Sequence, residues 1–218
     1  MTKIPKIVHY CWFGGGELSP LNVACIETWE KLSGYKFILW NEENSPMDDI
    51  VVKHFYKKKQ WAFVSDYVRL FALNKYGGVY LDTDIEVVSD IEPLLDNELF
   101  IAEEEQGKFN NCIFGSVPEH EVLSIGMDIM RGMVEKNKLL YSPEVITLAI
   151  NQSEQEVTKL PKHTFFPYNP FDKESSSQLM FMDIRSDTYA IHHWAHSWGE
   201  SVSFIERLGR LFSKLFGR

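Results

Sequence analysis

The sequence predicts an α/β domain, and three observations carry that expectation. Short apolar runs of strand length, such as KFILW at 36–40, alternate with longer stretches whose apolar residues recur at helical spacing. Cap and turn residues, among them Ser19-Pro20 and Gly77-Gly78, punctuate the joins. The 218 residues are 44% hydrophobic and 14% aromatic, enough for a substantial core in one domain.

Ile4 to Trp12 reads as a buried first strand that opens into the loop Phe13-Gly14-Gly15-Gly16. In open α/β sheets ligands gather beyond the carboxyl ends of strands, and glycines there let a ligand approach the backbone. Ser19-Pro20 starts a helix to Leu32 that buries Leu21, Cys25, Thr28, Trp29 and Leu32. Lys36 to Trp40 is the second strand, followed by a polar loop from Asn41 to Ser45 and a short helix to Tyr56. Lys57-Lys58-Lys59 reads as a solvated face, with a contact to an acceptor phosphate as the alternative.

Residues 61–86, WAFVSDYVRLFALNKYGGVYLDTDIE, organise the rest. Val64, Tyr67, Val68, Phe71 and Ala72 form a helical stripe that would bury against a sheet. Asp66 and Arg69 lie one turn apart on the other side, flanked by Ala62, Leu70 and Leu73, so that side is not an ordinary solvated face. Gly77-Gly78 stops the helix and Val79-Tyr80-Leu81 starts a strand. If it stays extended, period-two alternation sets Tyr80, Asp82 and Asp84 on one side. Two carboxylates so placed repel unless a cation lies between them, and oxygen ligands suit a divalent metal. A bare Asp-X-Asp equally fits a pair of turn aspartates.

Downstream, Ile85 to Val88 is a short strand, Leu99 to Ala102 another, and Asn110 to Ser116 a loop entering a strand. Val122, Ile125, Ile129, Met130 and Met133 mark an amphipathic helix, and Ser142-Pro143 starts one more through Asn151. From Val157 to Ser177 a short strand gives way to an irregular loop. Thr188 to His192 is a last strand, delivering His192, His193, Trp194, His196, Ser197 and Trp198 in one cluster.

The run Ser65-Asp66-x-x-Arg69, then Gly77-Gly78-x-Tyr80-x-Asp82-x-Asp84, resembles the family thirty-two glycosyltransferases. These are sugar transferases with an Asp-X-Asp motif, of the capsular and surface-polysaccharide type, and are similar to the catalytic domain of the large glucosylating toxins. IPKIVHYCWFGG and AIHHWAHSW match as well, so the resemblance spans residues 4 to about 198. It implies a single Rossmann-like nucleotide-sugar transferase domain of the GT-A type over residues 1–200, with a mixed, mostly parallel central sheet. It also implies a retaining hexosyltransferase that moves a sugar from a nucleotide diphosphate sugar, with a uridine diphosphate donor favoured. The acceptor would be lipid-linked or a growing polysaccharide.

On that resemblance Asp66, Arg69, Asp82 and Asp84 are catalytic. Cys11, Trp12, Ser65, Tyr80, Thr83, Asn111, Ser197 and Trp198 join Asp66, Arg69 and Asp82 against the donor, with Trp12 as a platform for the base. Read without the resemblance, Trp12 is a core residue at a strand end, and the asparagines at 110–111 cap a turn. Asp82, Asp84 and His192 would hold Mn²⁺ or Mg²⁺, with His193 and His196 as alternatives for the nitrogen ligand. Two readings from other classes stay open: a sugar-nucleotide-binding assembly protein without catalysis, and a phosphatase working through an aspartyl phosphate.

Net charge is −9, which argues against a general nucleic-acid binder. No 18-residue apolar run exists, the first residues do not resemble a signal peptide, and three cysteines without metal spacing fit a reducing cytoplasm. Residues 201–218 differ, with Arg207, Arg210, Lys214 and Arg218 against Glu206 on an otherwise acidic chain. Phe204, Leu208, Leu211, Phe212 and Leu215 recur there at helical spacing, predicting a basic amphipathic C-terminal helix. Such a helix either docks on its own domain or holds the protein on the anionic cytoplasmic face of a membrane.

Overall fold

The computed structural model describes residues 2–172 and 177–195. A six-stranded sheet forms the centre, built from β1 (Ile7–Cys11), β2 (Lys36–Trp40), β3 (Gly78–Leu81), β5 (Leu99–Glu105), β6 (Lys108–Ser116) and β7 (Thr158–Leu160). Its order is β2-β1-β3-β6-β5-β7. β1 runs parallel to β2 and β3, and β5 to β7, whereas β6 is antiparallel to both its neighbours. The sheet is therefore mixed and mostly parallel. β4 (Ile85–Val87) pairs with β8 (Ala190–His192) in a separate antiparallel ribbon.

Alternation within the strands sorts side chains between two cores. Tyr80, Leu99, Ile101 and Phe114 face α2 (Ile50–Lys57), α3 (Trp61–Tyr76), α4 (Glu121–Lys136) and α5 (Ser142–Gln152). Val8, Val79, Leu81, Phe100 and Ile113 face the other way, toward Trp29, the β4–β8 ribbon and Phe165-Phe166. α1 (Pro20–Glu27) leads into a 3₁₀ turn at Thr28–Lys31 that carries Trp29.

α3 follows the sequence closely. Val64, Tyr67, Val68 and Ala72 are buried, and so are Asp66 and Arg69. The helix stops at Gly77 (φ +61°), and β3 begins at Gly78 (φ +109°). A Cβ on Gly78 would stand 2.5 Å from the Ile7 carbonyl oxygen, so that close approach of β1 demands glycine.

Four expectations are corrected. The first strand begins at Ile7 rather than Ile4, because Pro5 has no N–H for a ladder. The helix from Pro20 tightens to 3₁₀ after Glu27, which turns Leu21 outward (39% exposed) and puts Asn22 in the buried position. Residues 110–116 are not a loop entering a strand. They belong to the nine-residue β6, closed onto β5 by a tight turn with Gly107 at φ +73°. Lastly, the chain does not stay extended past Leu81: Ile85 N–H donates to the Asp82 carbonyl at 3.1 Å, forming a turn. The notion of Tyr80, Asp82 and Asp84 on one side therefore fails at Asp84.

Among the described residues no helix is long and apolar enough to cross a membrane. Cys11, Cys25 and Cys112 are buried and free. His196, Ser197, Trp198 and the segment 201–218 lie outside the described residues.

Candidate active site

The site forms where β3 ends. Leu73 and Leu70 anchor α3 in the core, and this aims Asp66 and Arg69 at the sheet face that carries Tyr80 and Cys11. Arg69 is surrounded. Its Nη2 lies 3.0 Å from Asp66 Oδ1 and 3.0 Å from Asp82 Oδ1, and Nη1 donates to the Asn111 carbonyl at 2.9 Å. Nε reaches the Ser65 carbonyl at 3.4 Å. The Tyr80 ring lies 4.5 Å from the guanidinium carbon in a cation–π contact, while its hydroxyl donates to Asp82 Oδ1 at 2.9 Å.

Burial would lower the Arg69 pKa, but Asp82 first, then Tyr80 and Asp66, hold it above the usual arginine value. The two carboxyls move up. Burial raises Asp66 to about 6, against the pull of Arg69. Asp82 also rises through burial, with Arg69 opposing and the Asp84 charge adding to the rise. Cys11 sits at the edge of this cluster, its thiol pushed up to about 12 by burial.

Asp84 is placed differently. Its Oδ2 lies 3.3 Å from His192 Nε2 and accepts from the Ala195 N–H at 2.9 Å. Burial raises its pKa, yet the His192 hydrogen bond and charge, with the Ala195 N–H, bring it below the usual aspartate value. The Asp84 carbonyl accepts from the His193 N–H, and His193 Nε2 donates to Glu86 Oε2 at 2.7 Å. His193 is thus committed to Glu86, and among the described residues His192 is the histidine that faces Asp84. The His192 ring lies 4.2 Å from that of Trp194.

Among the described residues, no group of three or more His, Cys, Asp or Glu gathers about one point. Asp84 and His192 nevertheless fit a cation. Adjacent ligand atoms bound at about 2.1 Å stand roughly 3 Å apart, close to the Nε2–Oδ2 separation here. His192 Nδ1, on the other side of the ring from Nε2, is buried without a hydrogen-bond partner among the described residues. Charge agrees: three carboxylates, the buried Asp66 and Asp84 and the half-buried Asp82, stand close together, and Arg69 pairs with only Asp66 and Asp82. An anionic ligand would enter such a site only with a compensating cation.

Of the remaining candidates, Thr83 is buried and accepts from Asn22 Nδ2 at 2.8 Å. Trp12 is half-buried beyond β1, its indole N–H bonded to the Gly16 carbonyl at 2.6 Å across the glycine loop. Asn111 gives its carbonyl to Arg69, and its side-chain oxygen accepts from Ser142 Oγ at 2.7 Å. It lies where the β5–β6 register shifts between Ile101 and Ala102, an irregularity of the kind that re-aims side chains beside active sites.

Ser142 escaped the sequence reading, which took Ser142-Pro143 only as a helix start. Tyr141 is the cap and Ser142 the first helical residue, so its hydroxyl is free to reach Asn111 and Asp66. The usable signal was a serine one place too late to cap.

With this geometry in hand, the likenesses to known proteins take on meaning. Residues 21–101 match the family model described as a glycosyltransferase sugar-binding region containing the DXD motif, a span that holds Asp66, Arg69, Asp82 and Asp84. The chain is 32% identical over 134 residues to inositol phosphoceramide mannosyltransferase 1 of Schizosaccharomyces pombe, covering 56% of this chain and 41% of that protein. It is 28% identical over 186 residues to the human alpha-1,4-N-acetylglucosaminyltransferase, covering 73% and 50%. The chain thus spans half or less of the length of these two relatives. The solved PaToxG glycosyltransferase superposes with a TM-score of 0.58 at 17% identity, over 68% of this chain and 69% of that one. The fold is that of the GT-A glycosyltransferases.

Proposed function

We propose that the protein is a metal-dependent glycosyltransferase acting on a nucleotide diphosphate sugar. One observation carries the reading: a buried arginine held between two carboxylates at the end of β3, with a third carboxylate two residues on facing a histidine. Arg69 presents a planar fork suited to a diphosphate oxygen, which Lys would not reproduce. Asp66, buried beside it, accepts donor-sugar hydroxyls. Asp84 and His192 would hold Mn²⁺ or Mg²⁺, with Asp82 reached directly, through water or through the ribose. When bound, that ion neutralises charge developing on the leaving diphosphate. Trp12 stacks on the base, favoured as uracil, and Ser197 and Trp198 close over the diphosphate as a lid.

Tyr80 keeps Asp82 oriented toward Arg69 rather than free. That also weighs against the aspartyl-phosphate reading, whose nucleophile would be Asp82, because both its oxygens are taken up by Arg69 and Tyr80. Transfer with retention proceeds by front-side attack, since the cluster offers no free carboxylate for a double displacement.

The acceptor is lipid-linked or a growing surface polysaccharide of the capsular type. A relative named for an inositol phosphoceramide acceptor supports the lipid-linked case. The basic apolar segment 203–218 would then hold the enzyme peripherally on the cytoplasmic face, where each nearby basic residue contributes about 1 kcal/mol on anionic lipid. Co-sedimentation with phosphatidylserine vesicles at low salt, lost on deleting 203–218, checks that part.

The central test incubates the protein with Mn²⁺ and a panel of sugar nucleotides and follows release of nucleoside diphosphate. One donor is expected to be hydrolysed slowly and chelator to stop it. No binding and no release with any donor would reject the reading, and full turnover in excess chelator would reject the metal.

A further inference from the structure

α1 takes no part in the Arg69 cluster, yet α1 and its 3₁₀ extension are bonded three times to the segment that carries the aspartates. Asn22 Nδ2 donates to Thr83 Oγ1, Trp29 Nε1 to the Ile85 carbonyl, and the Val87 N–H to Thr28 Oγ1, each at 2.8 Å. The bonded residues 83, 85 and 87 alternate with Asp84 and Glu86, whose carboxylates meet His192 and His193. Two of these bonds fix the backbone of β4. The third, from Asn22, holds the middle side chain of the Asp82-Thr83-Asp84 turn.

The Asn22 amide is itself oriented. Ser19 Oγ caps α1 by accepting the Asn22 N–H, which leaves the hydroxyl proton to go to Asn22 Oδ1. With Oδ1 so engaged, the amide presents its N–H to Thr83. The Thr83 oxygen accepts, so its own proton points elsewhere. Both side chains are buried, Asn22 at 1% and Thr83 at 8% exposure.

A turn needs such a hold more than a strand does. The Asp82 N–H is fixed by the Cys112 carbonyl at 2.7 Å, and the Ile85 N–H closes back on the Asp82 carbonyl. Between them, the Thr83 side chain ties the turn to α1. We propose that Asn22 is a positioning residue of the donor site: through Thr83 it fixes the turn bearing both aspartates and leaves the Thr83 hydroxyl proton for a donor oxygen. The inference rests on the donor-binding reading above.

A double-mutant cycle tests it, with calorimetric binding of uridine diphosphate in saturating Mn²⁺ as readout and circular dichroism as the check on folding. Asn22→Leu and Thr83→Val are each expected to weaken binding about tenfold, a modest share of what a misplacement of about 1 Å can cost. The double variant should lose no more than either alone, and Thr83→Ser should stay within about twofold of the parent. Should Asn22→Leu fail to fold, Asn22→Ser, too short to reach Thr83, is expected to show the same loss. Unchanged affinity in the Asn22 variants overturns the proposal, and so do independent losses that multiply to about a hundredfold. A parent protein that binds no nucleoside diphosphate at all overturns the donor-site reading instead, and this inference with it.

Discussion

Asp82 and Asp84 stand two residues apart in one short motif, yet the fold gives them opposite surroundings. Asp82 is enclosed by Arg69 and Tyr80, and burial among those partners raises its pKa. Asp84 looks the other way, toward a histidine and one backbone N–H, and its pKa is lowered. The first half of the site is electrostatically closed, because the protein supplies its own cation. Among the described residues the second has no arginine or lysine partner, only His192, whose Nε2 lies 3.3 Å from Asp84 Oδ2. The difference teaches that the motif divides its work: one carboxylate fixes the guanidinium, and the other is left facing His192, where the proposed metal would be held.

The widest separation between the halves should appear at Asp84. Asp84→Asn is expected to cut transfer beyond about 10³-fold and to abolish Mn²⁺ binding, with little change in thermal midpoint. Asp82→Asn should show the other balance, a clear drop in midpoint with Mn²⁺ binding weakened but present. Paired Mn²⁺ titrations and thermal melts decide it; matching losses in the two variants would erase the distinction.

Next in size comes Arg69. Arg69→Ala leaves the buried Asp66 and the half-buried Asp82 without their cation, so it should cost about 3 kcal/mol of stability as well as about 10²–10³ in transfer. Urea unfolding beside activity measurements separates the two losses. Arg69→Lys is expected to recover little of either, because one ammonium cannot meet Asp66, Asp82 and the Asn111 carbonyl together. A stable, active Ala variant would make the cluster a surface-type ion pair.

How far the sequence made this visible depends on the range of the interaction. Helix α3, the Gly77-Gly78 stop and the burial of Asp66 and Arg69 were legible, because they follow from local periodicity and from charged residues set among leucines. The parting of Asp82 and Asp84 was not. Alternation holds only while the ladder lasts, and β3 ends at Leu81; the one local sign was the alternative reading of the two residues as turn aspartates. The family resemblance set His192 ahead of His193 and His196, and spacing alone did not separate the three. What separates it from His193 in the structure is the β4–β8 pairing, which sets Ile85 opposite His192 and sends His193 to Glu86. Contacts of that range leave no trace in spacing.

Tyr80 offers a finer cut between the halves. Tyr80→Phe keeps the ring beneath Arg69 but removes the hydroxyl that donates to Asp82. Hydrogen bonds to charged groups contribute about 1.5–3 kcal/mol, so a loss of about ten- to a hundredfold in transfer is expected. Mn²⁺ affinity should hardly move, since Asp84 and His192 are untouched. Weakened Mn²⁺ binding in this variant would show that Asp82 serves the metal more than the arginine.

The smallest expected effect lies farthest from the metal half. Ser142 Oγ has one proton to share between the Asn111 side-chain oxygen, 2.7 Å away, and Asp66, where it favours the ionised form of a carboxyl that burial has already raised to about 6. Removing a donor to a carboxylate destabilises its charged form, so in Ser142→Ala the Asp66 pKa should climb further. If ionised Asp66 is the form that accepts donor-sugar hydroxyls, the acid limb of the activity profile must move upward. The loss would then be several-fold between about pH 6 and 7 and would fade above pH 8, where Asp66 ionises in both proteins. Ser142→Thr, which keeps the hydroxyl, should restore the parent profile. Rate–pH curves for the three proteins are the measurement. A uniform loss at every pH would place Ser142 in the packing of α5 alone, and Asp66 would then owe its ionisation to Arg69 without help.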